Sequence, residues 1–401
     1  MNSVSWILVA IAVVMMVIFF SPRVRTSKLW HAITIPLASI IGSGILLAGP
    51  LLAATVGGWA LWAMAALVLT GYAFGSAIRY NIVHLEPQLH QGAPASLRAM
   101  ENISELVLAL AYFVSIAYYI NLFAAFGLRA LGITDSVAIN SAATVVIAAI
   151  TAAGAFWGFS ALEKLVLTSV TIKLALVVAL VVALSLGFLL GPSSELASLV
   201  GASEVEFADL RVLLGLVILV QGFETSRYLG DEFDAPTRVR SMRFAQIISG
   251  VIYLLFIAAA SPYFGDASTE ALSETAVIDM LSVAGLIFAP VLIATALTSQ
   301  FSAAVADTSG AAGLLVENTK RRLSTRSAIM VIGAVAIALT WSVSIFTIVV
   351  LGSQAFVVYY ALQSITAARQ AYLRGKLLPA TLFTLLGVFG VLIVIFAIPA
   401  A

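Results

Sequence analysis

The chain has no cysteine, which excludes disulfides and thiolate metal sites. Its three histidines, His31, His84 and His90, show no metal-ligand spacing. His84 and His90 fall in a polar loop and are expected to be solvated. Charge is scarce: only 10% of residues are Asp, Glu, Lys or Arg, and the net charge is +1. That balance leaves no footprint for nucleic acid. A glycine-rich phosphate loop ending in lysine is missing, which argues against ATP coupling within the chain. Nor do the histidines supply a catalytic constellation, so an enzyme is not expected, and neither a cofactor nor a metal.

What remains is apolar. Hydrophobic residues make up 62% of the chain, and its mean hydropathy is +1.11. A soluble protein cannot hide that much apolar surface, so the expected class is an all-α polytopic membrane protein embedded in lipid. The first apolar run is followed, not preceded, by positive charge in "SPRVRTSK", so it reads as a retained helix and not a cleaved signal.

A span needs roughly 20 apolar residues. Twelve candidates follow: 4–20, 30–54, 58–80, 103–131, 137–157, 162–190, 207–229, 243–264, 279–315, 327–345, 347–367 and 378–399. Taking the first as helix 0 makes the others helices 1 to 11. With this count every Lys and Arg except Arg129, Arg211 and Lys173 falls on one side of the membrane. Positive loops mark the cytoplasm, so both termini are expected outside it, in a cell (inner or plasma) membrane. The loops on the other side, "GPSSELASLVGASEVEFAD" and "GDASTEALSETAVID", are acidic.

Three charges fall deep inside expected spans, away from their ends: Lys173 near the middle of helix 5, Glu224 in helix 6 and Asp307 in helix 8. A charge at that depth costs a few kcal/mol and needs a partner, water or a function. Two spans also carry weak points. "ASIIGSGILLAGP" places Gly42-Ser43-Gly44 near the middle of helix 1, where glycine costs about 1 kcal/mol relative to alanine. "VQGFETS" places Gly222 beside Gln221 and Glu224 at similar depth in helix 6. Five spans apart, these helices cross in opposite directions. Interrupted helices in corresponding positions of two inverted halves point to a transporter's binding site. Close packing is the other reading of the small residues, since Ala38 and Gly42 form a small-xxx-small pair.

These stretches carry a resemblance. "IGSGILLAGP" resembles the first-helix motif of the amino acid–polyamine–organocation (APC) transporter superfamily. "QGFETSRYLGDEFDAPTRVRSMRFAQI" resembles that family's sixth helix and following loop, and "HLEPQLHQGAPASLRAM" its loop before the third helix. The resemblance implies the leucine-transporter fold, a 5+5 inverted repeat with broken helices 1 and 6. The repeats would be 28–190 and 207–370, with an extra N-terminal helix and basic loop at 1–27 and a further helix at 371–401. This chain departs from the family pattern in the helix preceding helix 1. It also has Ser309-Gly310 where a serine-arginine pair often ends the eighth helix.

Candidate roles follow. Free N–H groups and the positive dipole end after the helix-1 break suit a substrate carboxylate. They would come from Ser43, Gly44 and Ile45, with Ser39, Ile41 and Gly42 lining the approach. Gln221, Gly222 and Phe223 offer carbonyls to an amine, with Phe223 covering the pocket. Glu224 is either a cation or proton carrier or a structural hydrogen-bond partner. "SVTIKLALVVAL" resembles the family's fifth helix. The resemblance implies that Lys173 stands where sodium-coupled relatives bind sodium. Ser299 and Ser302 share a helix face and either line that site or bond to their own backbone. Asp307 is a permeation-path group or an ion-pair partner. Tyr112, Tyr118 and Tyr119 lie along helix 3, where Tyr119 either closes over substrate or is simply packed.

The leading expectation is a secondary transporter of an amino acid or small amine. It would be sodium-independent and either proton-coupled or exchanging. An inorganic-ion transporter on the same fold, or a transporter-like sensor or scaffold, are the alternatives.

Overall fold

A computed structural model describes residues 3–42, 44–92, 94–158, 160–190, 204–230, 232–263 and 273–400. Ser43 lies outside them. The described residues are helical throughout their ordered elements. In chain order these are α1 (Ser3–Phe20), the single turn α2 (Pro22–Arg25), α3 (Lys28–Ile40), α4 (Gly44–Val56), α5 (Ala60–His84) and the short α6 (Glu86–His90). There follow α7 (Ala95–Arg129), α8 (Ser136–Trp157), α9 (Ser160–Leu190), α10 (Phe207–Leu214) and α11 (Ala235–Ala260). The last five are α12 (Ala276–Ser282), α13 (Phe288–Asn318), α14 (Thr325–Ser342), α15 (Ile345–Leu373) and α16 (Leu377–Phe396).

Nine helical stretches among the described residues are long and apolar enough to cross a membrane. One of them, Lys28–His84, runs for 57 residues, more than twice the length that a crossing needs. It is interrupted between α3 and α4 and turns again through a 3₁₀ segment at Gly57–Trp59. A shorter apolar helix, Ser5–Phe20, precedes it.

Three expected spans take a different form. The stretch 207–229 is not one helix. α10 stops at Leu214 and gives way to 3₁₀ turns at Val217–Val220 and Phe223–Tyr228. Ser353 of α15 explains the stop: its hydroxyl donates to the Gly215 carbonyl (2.6 Å) and accepts from the Ile218 N–H (2.9 Å). It thereby satisfies two groups that a continuous helix would have paired internally. The stretch 279–315 divides into α12 and α13. Gly285 falls between them, and Pro290 sits in the first turn of α13, where its missing N–H has no helical partner to lose. Finally, α7 starts at Ala95, so Glu101 belongs to a helix and is buried.

α13 packs along α7 and α9, α11 along α3 and α5, and α15 along α7, α5 and α16. The largest fully buried side chains include Tyr118, Tyr119, Tyr253, Tyr359, Tyr360 and Lys173, so polar atoms are concentrated inside the bundle. One end is held by a buried ion network. Arg227 pairs with Glu101 (2.8 Å) and Glu86 (3.7 Å), and Arg238 pairs with Glu86 (2.6 Å). Arg227 also donates to Gln363 on α15. Asp234 caps α11 by accepting from the Thr237 N–H (3.1 Å). Hydrogen bonds from Thr237 hold the Asp234 carboxyl below its usual pKa. At the opposite end Arg129 pairs with Asp279.

Candidate functional site

The α3–α4 break lies at the centre of the bundle. α3 closes at Ile41, whose N–H still reaches the Leu37 carbonyl (2.9 Å) while its ψ of 53° leaves the helical region. The carbonyls of the last turn of a helix lack helical partners. Here side chains from three other helices supply donors. Lys173 Nζ of α9 donates to Ala38 O (2.6 Å), Tyr253 of α11 to Ile40 O (3.0 Å), and Ser299 of α13 to Ile41 O (3.3 Å). Lys173 is fully buried and also donates to Ser302 Oγ (3.2 Å), which itself donates to Ser299 O (3.0 Å). The structure therefore joins Lys173, Ser299 and Ser302 in one network around the end of α3.

The second break sits against the first. Tyr253 donates to Leu219 O (2.6 Å) as well as to Ile40 O, so one hydroxyl proton serves a carbonyl from each broken segment. Gly222 has φ of 113°, and a Cβ there would collide with the Oγ, Cβ and carbonyl carbon of Ser39. Only glycine combines that backbone with that approach. Glu224 Oε2 accepts from the Gly222 N–H (2.9 Å) and from the Tyr360 hydroxyl (2.8 Å). Gln221 Nε2 donates to the Tyr119 hydroxyl (2.7 Å). Phe223 stacks on Tyr360, with ring centroids 4.9 Å apart.

Most candidates from the sequence thus converge. Ser39, Ile41, Gly42, Gly44 and Ile45 form the first break, and Ile41 and Ile45 are fully buried. A Cβ on Gly42 would lie 3.8 Å from the Tyr119 ring, which puts Tyr119 over that turn. Gln221, Gly222, Phe223 and Glu224 form the second break. Ser43 is outside the described residues. Asp307 points elsewhere: it is buried and accepts from Ser115 of α7, and it forms no ion pair among the described residues.

Three contributors were not read from the sequence. Tyr253 and Tyr360 are tyrosines within apolar helices, indistinguishable there from packing residues. Ser353 gives no local signal either. Tyr253→Phe should lower stability by about 1–3 kcal/mol, because two buried carbonyls lose a donor. Thermal unfolding of the detergent-solubilised variant checks this, and an unchanged midpoint would contradict the bridge.

Chemically, the site sets a helix start next to an acceptor-rich turn. The first N–H groups of α4 have no helical partners and carry its positive dipole end. Gln221 and Glu224 each keep one buried side-chain oxygen, Oε1, without a partner among the described residues. A cavity of about 100 Å³ adjoins the break on the side of the Arg227 network. It is bounded by Thr34, Ala38 and Ser39 of α3, Val166 and Val170 of α9, and Ser302 of α13.

Comparison with known proteins agrees with this architecture. A family model described as an APC superfamily transporter matches residues 22–397. An uncharacterized protein of Aquifex aeolicus (strain VF5) is 37% identical over 383 residues, covering 94% of this chain and 93% of its own length. The chain belongs to the APC superfamily and is a multi-pass membrane transporter, not an enzyme.

Proposed function

We propose that this chain is a secondary transporter that moves an amino acid or a related small amine by alternating access. The repeats at 28–190 and 207–370 form an inverted 5+5 pair. The helices at 1–27 and 371–401 are additions, and both termini face away from the cytoplasm. The observation that carries this reading is the contact between the two helix breaks. One presents the first N–H groups of α4, which have no helical partners, and the other presents side-chain oxygens of Gln221 and Glu224 that have no partner among the described residues. A zwitterion has the matching pattern, with its carboxylate at α4 and its ammonium at the 221–224 turn.

Transport is independent of sodium and driven by protons or exchange, because Lys173 already donates to the carbonyl that a cation would neutralise. A sodium ion a few ångströms from that ammonium costs about 4 kcal/mol at an effective dielectric near 20. An inorganic-ion transporter draws on the buried carboxyls Glu224 and Asp307, but a bound inorganic cation meets the same repulsion close to Lys173.

Glu224 is the proposed proton carrier, since its carboxyl touches both the break and Tyr360. Glu224→Gln preserves most of the hydrogen bonding and removes the charge change. The pH dependence of uptake should flatten while substrate binding persists. An unchanged pH profile would reduce Glu224 to a structural bond. The general test is uptake of labelled amino acids, amines and inorganic ions into proteoliposomes, with pH and sodium gradients imposed separately. Uptake of inorganic ions alone would overturn the amine reading.

A further inference from the structure

α9 has two working faces. One holds Lys173 and borders the cavity. The other carries α1, which lies outside the proposed repeats. Ala12 of α1 packs with Leu176 and Ala179, and Ile11, Met16 and Ile172 close around them. Val291 and Ala294 of α13 pack against the same cluster. α1 therefore lies along α9, the helix whose Lys173 meets Ser302 of α13 inside. Ser5 and Leu8 are fully buried, whereas Trp6, Val13, Val14 and Val17 are exposed. The helix is docked on one face and open to lipid on the other.

The far end of α1 is fastened to α3. Phe19 stacks on Trp30, with centroids 5.6 Å apart and planes 17° from parallel. Trp30 belongs to the first turn of α3. The connection between them is structured. α2 forms a turn, Thr26 Oγ1 donates to Pro22 O (2.9 Å), and Ser27 Oγ accepts from the Trp30 N–H (3.3 Å). So the start of α3 is tied through α1 to the outer face of α9. Its end is tied to the inner face through Lys173.

The cavity separates α3, with Thr34 and Ala38, from α9 and α13, with Val166 and Ser302. Widening it requires α3 to move away from both. We infer that α1 is a built-in strap. Docked on α9 and stacked on Trp30, it limits the swing of α3 and so sets how often the cavity opens toward the basic loops. Its consequence for transport rests on the alternating-access reading above; the strap itself concerns only the position of α3.

The absence of cysteine makes the test direct. Thr34→Cys is introduced into the full chain in membrane vesicles. A membrane-impermeant maleimide is presented to the basic-loop face, with no solute added. Phe19→Ala, Trp30→Ala and Ala12→Phe are each combined with it. The first two remove the stack, and the third wedges α1 off α9 while keeping the stack. Each should speed labelling of the cysteine about three- to tenfold, the range expected for losing one aromatic pair. Trp6→Ala, on the exposed face of α1, should leave the rate unchanged. Phe19→Ala reads the same contact should Trp30→Ala fail to fold. Parental labelling rates in folded Phe19→Ala and Ala12→Phe proteins would overturn the strap. Faster labelling with no uptake of any amino acid or amine would remove the amino acid or amine reading and leave the strap standing.

Discussion

Lys173→Ala should lower uptake about a hundredfold, the largest loss expected of any single side chain in the site. The ammonium is fully buried and donates to Ala38 O at 2.6 Å and to Ser302 Oγ at 3.2 Å. Hydrogen bonds to a charged group contribute about 1.5–3 kcal/mol, and a buried carbonyl left bare costs about 1–3 kcal/mol. At the upper end that is a hundredfold change in an equilibrium. Ala38 lies in the last turn of α3, so the lost bond acts on the segment that borders the cavity. Lys173→Met keeps the aliphatic stem and removes the charge, which separates packing from electrostatics. Both variants should fail in uptake, and Lys173→Met should be the more stable of the two.

The same residue predicts what the wild type does not need. Proteoliposomes with sodium replaced by choline should transport at the full rate, and an imposed pH gradient or internal solute should drive them. Strict sodium dependence in the wild type would remove Lys173 as the cation's replacement, even if Lys173→Ala were inactive.

Residues that break the rules of membrane helices were legible in the sequence. Glycines at mid-span and a lysine at the midplane are costly, so their presence pointed to the α3–α4 break, to the turn at Gly222 and to the α9 ammonium. Residues that obey the rules were not legible. Tyr253, Tyr360 and Ser353 are ordinary on apolar helices, and only the rotation of α11 and α15 aims their hydroxyls at the breaks. The depth of Asp307 could be read, but its partner Ser115 depends on how α13 meets α7. Charges near helix ends were hidden for a different reason. Arg227 and Arg238 read as topology signals, yet both are buried against Glu86, and Arg227 also against Glu101. A positive residue at a membrane boundary has two uses, and sequence position alone does not separate them.

Gly44→Ala tests the contact between the breaks more sharply than any larger substitution. A Cβ on Gly44 would overlap the Leu219 carbonyl oxygen and the Tyr253 hydroxyl. The first is backbone, and the second is bonded to both broken segments. Neither can give way as the tip of a free side chain can. Forcing extra volume into such a place costs about 1–3 kcal/mol. Helix propensity acts weakly in the opposite direction: Gly44 is the first residue of α4, so alanine gains less there than the about 1 kcal/mol it holds over glycine inside a helix. The sign of the change therefore identifies the governing effect. Gly44→Ala should lower the thermal midpoint and reduce uptake about tenfold or more, because the start of α4 is pushed off the turn at Val217–Val220. Gly42→Ala is the internal comparison. Its Cβ would approach the Ser39 carbonyl oxygen at 3.0 Å and the Tyr119 ring at 3.8 Å, so its loss should be smaller. A Gly44→Ala protein that is more stable than the parent and transports normally would mean that α4 does not seat against Leu219 and Tyr253.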